Sequence, residues 1–329
     1  MTFLTTKFRL LRIWIAFRGL FLIVGFVTVC LASAAAGGLW WFFNSLPDVH
    51  SLNMPTFTVL AKESVERRGK DADSKPHLHR WIPLGNVGRQ AVQAIVASED
   101  SGFFQHEGLD YGAIADSVAE NLKRKKYAFG ASTISQQVVK NVFLTREKTI
   151  FRKVKEWVVT YRLEGKFTKK EILEVYLNII EVGPGLYGID QAARHYFGKS
   201  PSELNAAEGA FIAVLLPSPV KYAKRYLTKQ ALTPDAWKRV RRVLRDLAGM
   251  SVITEEELQR YWNYPFFGYA SADGAHSTPS DDLGDSDAPA DQAEESESER
   301  SPTPATPDTG REGISPADLG LEPETTGDT

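Results

Sequence analysis

From Gly19 to Phe43 the chain runs 25 positions without a charged side chain. As a helix, such a run is about 37 Å long, enough to cross a hydrocarbon core of about 30 Å with some tilt. Lys7, Arg9, Arg12 and Arg18 precede it and no acid does. The positive-inside rule therefore leaves residues 1–18 in the cytoplasm and puts the chain beyond the run outside. Trp40 and Trp41 stand at its far end, where interfacial aromatics belong. A cleaved signal peptide is the rival, because Ala32-Ser33-Ala34 reads as a cleavage site. The run is long for a signal core and apolar residues resume at Leu39, so the expectation is one transmembrane helix over 19–43.

Charge divides the rest of the chain. Residues 271–329 hold 16 Asp and Glu against 2 Arg, a net of −14. The whole chain is −2, so residues 1–270 carry +12 by difference, and a near-neutral total hides a basic body and an acidic tail. The tail is rich in Ser, Asp, Glu, Pro and Thr and poor in large apolar residues, so disorder is expected from 271 onward. Cys30 is the only cysteine, which excludes a disulfide framework or a cysteine metal site within one chain.

Between these ends the patterning is helical. Residues 44–84 read as a polar connection, with Thr56-Phe57-Thr58-Val59-Leu60 as a short strand and His77-x-His79 in a solvated loop. Ala91, Val92, Ile95 and Val96 recur at three- and four-residue steps and predict a helix over 88–98. Residues 131–144 predict another, with Gln137, Lys140 and Asn141 on one face. A further helix is predicted over 149–164, with Val154, Trp157, Val158 and Tyr161 as its buried stripe. Thr168-x-x-Glu171 starts a helix with a capping box, and Gly183-Pro184-Gly185 ends it. The helix from Ala206 to Leu216 is apolar nearly all round and is expected at the centre of the core. Thr233-Pro234 and Thr254-x-x-Glu257 open two more. A mainly α domain over 85–270 is the expected architecture, with strands scarce. Gly183-x-Gly185-x-x-Gly188 spells a dinucleotide fingerprint but comes after a capped helix without any βαβ pattern, so it is set aside.

Chemistry concentrates in residues 97–164. Glu99 and Glu156 are its two prominent carboxylates, and a carboxylate is able to take a proton from a sugar hydroxyl. Between and after them come Ser132, Gln136, Gln137, Lys140, Lys148, Arg152, Lys153 and Lys155. Cations with hydrogen-bond donors hold a phosphate leaving group. Glu99 falls at a helix C-terminus, where the macrodipole disfavours a second negative charge and so suits a proton acceptor. The plainer alternatives are a surface carboxylate at position 99 and an i, i+4 surface ion pair between Arg152 and Glu156, worth about 0.3–0.5 kcal/mol. Lys123-Arg124-Lys125-Lys126 is a solvated run or a contact for anionic lipid head groups. A nucleic-acid partner is not expected outside a membrane.

Five segments then resemble one family. Glu99-Asp100-x-x-Phe103-x-x-His106-x-Gly108-x-Asp110 is similar to the first motif of the family 51 glycosyltransferases, the peptidoglycan polymerases. Gly130-Ala131-Ser132-Thr133-Ile134-Ser135-Gln136-Gln137-x-x-Lys140-Asn141 resembles the second, and Arg152-Lys153-x-x-Glu156 the third. Ile172-Leu173-x-x-Tyr176-Leu177-Asn178 with Gly183 and Tyr187-Gly188 resembles the fourth, and Glu208 through Leu216-Pro217-Ser218-Pro219 the fifth. Order and spacing agree over about residues 85–225, and the five together are highly specific.

The resemblance implies a lysozyme-like helical domain that polymerises lipid II on the outer side of a bacterial plasma membrane, with the growing glycan strand as donor. It implies that Glu99 is the general base. It also implies that Glu156 orients or neutralises the pyrophosphate, directly or through a divalent cation such as Mg or Mn. Lys140, Lys148, Arg152 and Lys155 match phosphate-contacting positions, and Ser132, Gln136 and Gln137 match positions along the donor site. Other cell-wall synthesis proteins are partners the resemblance allows. Two departures stand out: Ala131 replaces a second glycine, and Lys148 stands where many relatives have arginine, with Arg146 near it. Ser218-Pro219-Val220-Lys221 spells a transpeptidase motif, but no Lys-Thr-Gly comes after it, so the chain resembles the monofunctional members. Two other readings stay open from the residues alone: a glycan hydrolase using the same carboxylate pair, and an inactive cell-wall scaffold.

Overall fold

The computed structural model of the chain describes residues 2–71, 80–124, 132–145, 147, 149–228 and 231–266. His77, His79, Lys125, Lys126, Ala131, Arg146, Lys148 and the acidic tail lie outside the described residues.

The chain divides into two compact units, Met1–Asp48 and Val49–Thr329. The first is one helix, α1 (Thr2–Asn44), in which the expected basic segment and apolar run are continuous. Its apolar part, Phe17–Asn44, is 28 residues with a mean hydropathy of 2.3 and no side chain buried in protein. Phe21, Phe26 and Leu31 are exposed on the helix, as they would be to an apolar solvent.

The second unit is helical, as expected. It starts with α2 (Met54–Asp71), where a strand and a polar connection were expected. Thr56, Thr58 and Val59 suggested the strand. The buried positions, however, are Phe57, Ala61, Ser64 and Val65, which is the helical step. Asn53 Oδ1 accepts from Thr56 N–H at 3.0 Å and starts the helix, just ahead of Pro55. Phe57 then packs between Phe143 and Phe167. At the other end Arg67 donates to Val142 O and Arg68 to Ile179 O, so α2 supplies donors to two other helix C-termini.

Next come α3 (Arg89–Glu99), α4 (Tyr111–Arg124), α5 (Ile134–Val142), α6 (Ile150–Glu164) and α7 (Lys169–Ile179). Past α7, Gly183-Pro184-Gly185 forms a hairpin of β1 (Glu181–Gly183) and β2 (Leu186–Tyr187) and does not act as the helix stop. Helix α8 (Ile189–Ala192) and α9 (Ala206–Leu215) are next in order. Every residue of α9 is buried, which makes it the central helix that its composition predicts. Gly209 lets it approach α3 closely: a Cβ there would lie 2.4 Å from Ala91 Cα. Then come α10 (Pro219–Tyr226), a short β3 (Leu227–Thr228) and β4 (Ala231–Leu232) pair, α11 (Pro234–Gly249) and α12 (Glu255–Trp262). The capping boxes at Thr168 and Thr254 form as their spacing predicts, and Asn205 with Glu208 makes another at the start of α9.

One helix face differs from expectation. On α6 the buried residues are Glu156, Val159, Thr160 and Leu163. The expected stripe points out: Val154 is 40% exposed, Trp157 43% and Tyr161 68%, with Ile150 and Phe151 beside them. The helix carries two apolar edges, and periodicity alone does not say which one meets a neighbour. The inward choice comes from α5, against which α6 packs.

Candidate functional site

Glu99 is the last residue of α3, as its helix pattern predicts, and is only partly buried. Gln137 Nε2 donates to its Oε2 at 2.9 Å. Gln137, Lys140 and Asn141 lie on the open face of α5, while Ile134, Val138, Val139 and Val142 fill the other side. The α5 helix therefore carries a neutral amide to the first carboxylate and a cation one turn further on.

The N-terminus of α5 leads to the second carboxylate. Ser132 Oγ accepts from Lys153 Nζ at 3.3 Å. Lys153 Nζ also bonds Glu156 Oε1 at 2.5 Å, and Arg152 NH1 bonds Glu156 Oε2 at 2.9 Å. Glu156 is 1% exposed, whereas the side chains of Arg152 and Lys153 are 20% and 38% exposed. The pair whose plainer reading was a surface contact is thus anchored on a buried carboxylate, with both cations reaching toward solvent.

Each expected residue among those described has a definite place. Glu99 and Gln137 are in contact; Ser132, Arg152 and Glu156 join a second cluster; Lys140 lies on the open α5 face. Lys155 points elsewhere, its Nζ standing 4.9 Å over the Phe151 ring on the outward side of α6. Lys153, a member of the third motif, is the lysine that meets Ser132 and Glu156. Gln136 is 1% exposed, and its Oε1 accepts from Thr133 N–H at 3.0 Å in a capping box with Thr133 that starts α5.

The donor set does not suit a resident divalent cation at Glu156. Both carboxylate oxygens are engaged by cationic side chains, which would repel a metal ion. Among the described residues no group of three His, Cys, Asp or Glu side chains converges.

A carboxylate at an open edge, with cations on the same helical scaffold, carries the side-chain types that acid–base and phosphate chemistry use. Residues 67–248 match the transglycosylase family. The chain is 38% identical over 190 residues to a biosynthetic peptidoglycan transglycosylase of Nitrosomonas eutropha, covering 58% of this chain and 76% of that relative. Relatives of the same name match in Azoarcus sp. strain BH72, at 37% identity over 62% of this chain and 89% of theirs, and in Nitrosospira multiformis, at 36% over 65% and 90%. The chain belongs to the transglycosylase family.

Proposed function

We propose that this chain is a peptidoglycan glycosyltransferase that polymerises lipid II into glycan strands. Glu99 takes the proton from the 4-hydroxyl of the acceptor sugar. That oxygen forms a bond to the anomeric carbon of the donor strand with inversion, and the bond to undecaprenyl pyrophosphate breaks. A sugar hydroxyl is a poor nucleophile at neutral pH and needs such a base. The departing pyrophosphate gathers negative charge, which Lys140, Arg152 and Lys153 stabilise more in the transition state than before it. Glu156 holds Arg152 and Lys153 in place for that task.

One observation carries this reading. Gln137 on α5 grips Glu99, while Ser132 just before the same helix grips the cation that Glu156 holds. Acid–base chemistry and phosphate binding thereby share one short rigid element.

Helix α1 serves as a single-pass anchor, with residues 1–18 cytoplasmic and the catalytic unit outside. Anchoring keeps the enzyme among lipid-linked substrates and makes encounter local. The outward apolar stripe of α6, from Ile150 to Tyr161, suits a surface that works against a bilayer. The domain limits that go with this are a catalytic unit that begins before α2 and a separate acidic tail over 271–329.

Incubating the full-length protein in detergent with lipid II tests the proposal. The expected result is polymer from the wild type and none from Glu99→Gln. Release of reducing ends from finished glycan, without polymer from lipid II, would replace it with the hydrolase.

A further inference from the structure

The turn after Glu99 contains a closed ring of hydrogen bonds that the reaction scheme does not use. Asp100 is buried, and its Oδ2 accepts from Ile134 N–H, the first residue of α5, at 2.9 Å. His106 Nε2 lies 3.0 and 3.2 Å from the two oxygens of the same carboxylate. The other ring nitrogen, Nδ1, accepts from Gly108 N–H at 3.1 Å. Gly108 O in turn accepts from Thr133 Oγ1 at 2.6 Å, the residue before Ile134. The ring runs Asp100, His106, Gly108, Thr133, Ile134 and back to Asp100.

A nitrogen that accepts from a backbone N–H carries no proton, so the imidazole is neutral with its hydrogen on Nε2, pointing at Asp100. The ring is also wedged in place. Gly108 has φ +92, and a Cβ there would lie 2.9 Å from both Thr160 Cγ2 and Glu164 Cγ of α6. Phe103 packs edge-on to the imidazole, at 6.2 Å between centroids.

The geometry matters because Glu99 and Asp100 are neighbours, and so are their partners. Asp100 meets Ile134 and Glu99 meets Gln137, one turn along the same helix. These are two rungs between the end of α3 and the first turn of α5. His106 donates to Asp100 at the first rung, one residue from the carboxylate of the second.

We propose that His106, as the neutral Nε2–H tautomer, is a positioning residue for Glu99, acting through Asp100. This rests on Glu99 being the general base. Without the imidazole, a buried carboxylate loses a donor, the first rung loosens, and the proton acceptor drifts from the acceptor sugar. Misplacement near 1 Å costs about 10²-fold in rate.

The experiment compares full-length wild type, Glu99→Gln, His106→Ala and His106→Gln in lipid II polymerisation, with thermal melts of each. His106→Gln keeps a donor toward Asp100. His106→Ala is expected to lower kcat by about 10- to 100-fold with KM little changed, and His106→Gln to recover part of the loss. Long-range proton–nitrogen NMR of the wild type is expected to show the ring proton on Nε2 at assay pH. A wild-type kcat in His106→Ala, a loss carried by KM, no recovery in His106→Gln, or a proton on Nδ1 overturns the proposal. If His106→Ala does not fold, His106→Gln against wild type and the ring tautomer decide it. An active Glu99→Gln would remove the general-base reading itself, whereas an inactive Glu99→Gln beside an unaffected His106→Ala would remove only the role of His106.

Discussion

The two carboxylates of the site occupy opposite environments. Glu99 sits at a helix end, partly open, and receives a hydrogen bond from a neutral amide. Glu156 sits mid-helix, 1% exposed, with a cationic partner on each oxygen. Both oxygens of Glu156 are committed to cationic partners. Glu99 stays partly open to solvent beside a neutral donor. In the proposed scheme the same side chain serves as base in one place and as a mount for cations in the other, by surroundings alone.

Substitution at Glu99 should produce the largest effect. Glu99→Gln is expected to lower polymerisation by about 10²–10⁴-fold without moving the melting temperature. Turnover of lipid II beside a thermal melt checks both halves, and an active variant would break the contrast at once. Glu156→Gln should reverse the balance between activity and stability. It leaves two cations without their buried partner, so urea unfolding should show a clear loss of stability. That loss should be smaller than the about 3–5 kcal/mol of a fully buried pair, since Arg152 and Lys153 keep contact with water. Unchanged unfolding would mean that Glu156 does not mount the two cations.

A finer contrast lies within α6. Lys153→Met should reduce turnover by about tenfold or more, and Lys155→Met by clearly less, because Lys153 is the lysine that joins Ser132 and Glu156. Equal losses in the two variants would return Lys155 to the phosphate-binding set. The smallest effect is expected from deleting residues 271–329. Their composition offers little to the fold, and turnover should stay at the wild-type level; a large drop would give the acidic tail a part in the reaction.

Much of the site is legible in residue order. The pattern Ala91, Val92, Ile95, Val96 places Glu99 at a helix terminus, and the 137, 140, 141 spacing puts three polar side chains on one face. Both readings rest on local geometry, where side-chain direction depends on position in the helix. The features that escape such reading have a common origin. The α2 helix is hidden because Thr56, Thr58 and Val59 carry strand preference, which burial of its inner face, with Phe57 packed against Phe143 and Phe167, overrides. The cap that Gln136 makes is hidden because it depends on a backbone N–H three residues back.

Local chemistry, written into residue order, settled where helices such as α7 and α12 begin, which residues are candidates for base or cation, and that an apolar run of membrane length leads the chain. Which edge of α6 turns inward, which lysine meets Glu156, and how Asp100 and His106 brace the turn after Glu99 came only from the packed molecule. These depend on contacts between residues far apart in the chain, and such contacts are chosen by competition for the same buried space.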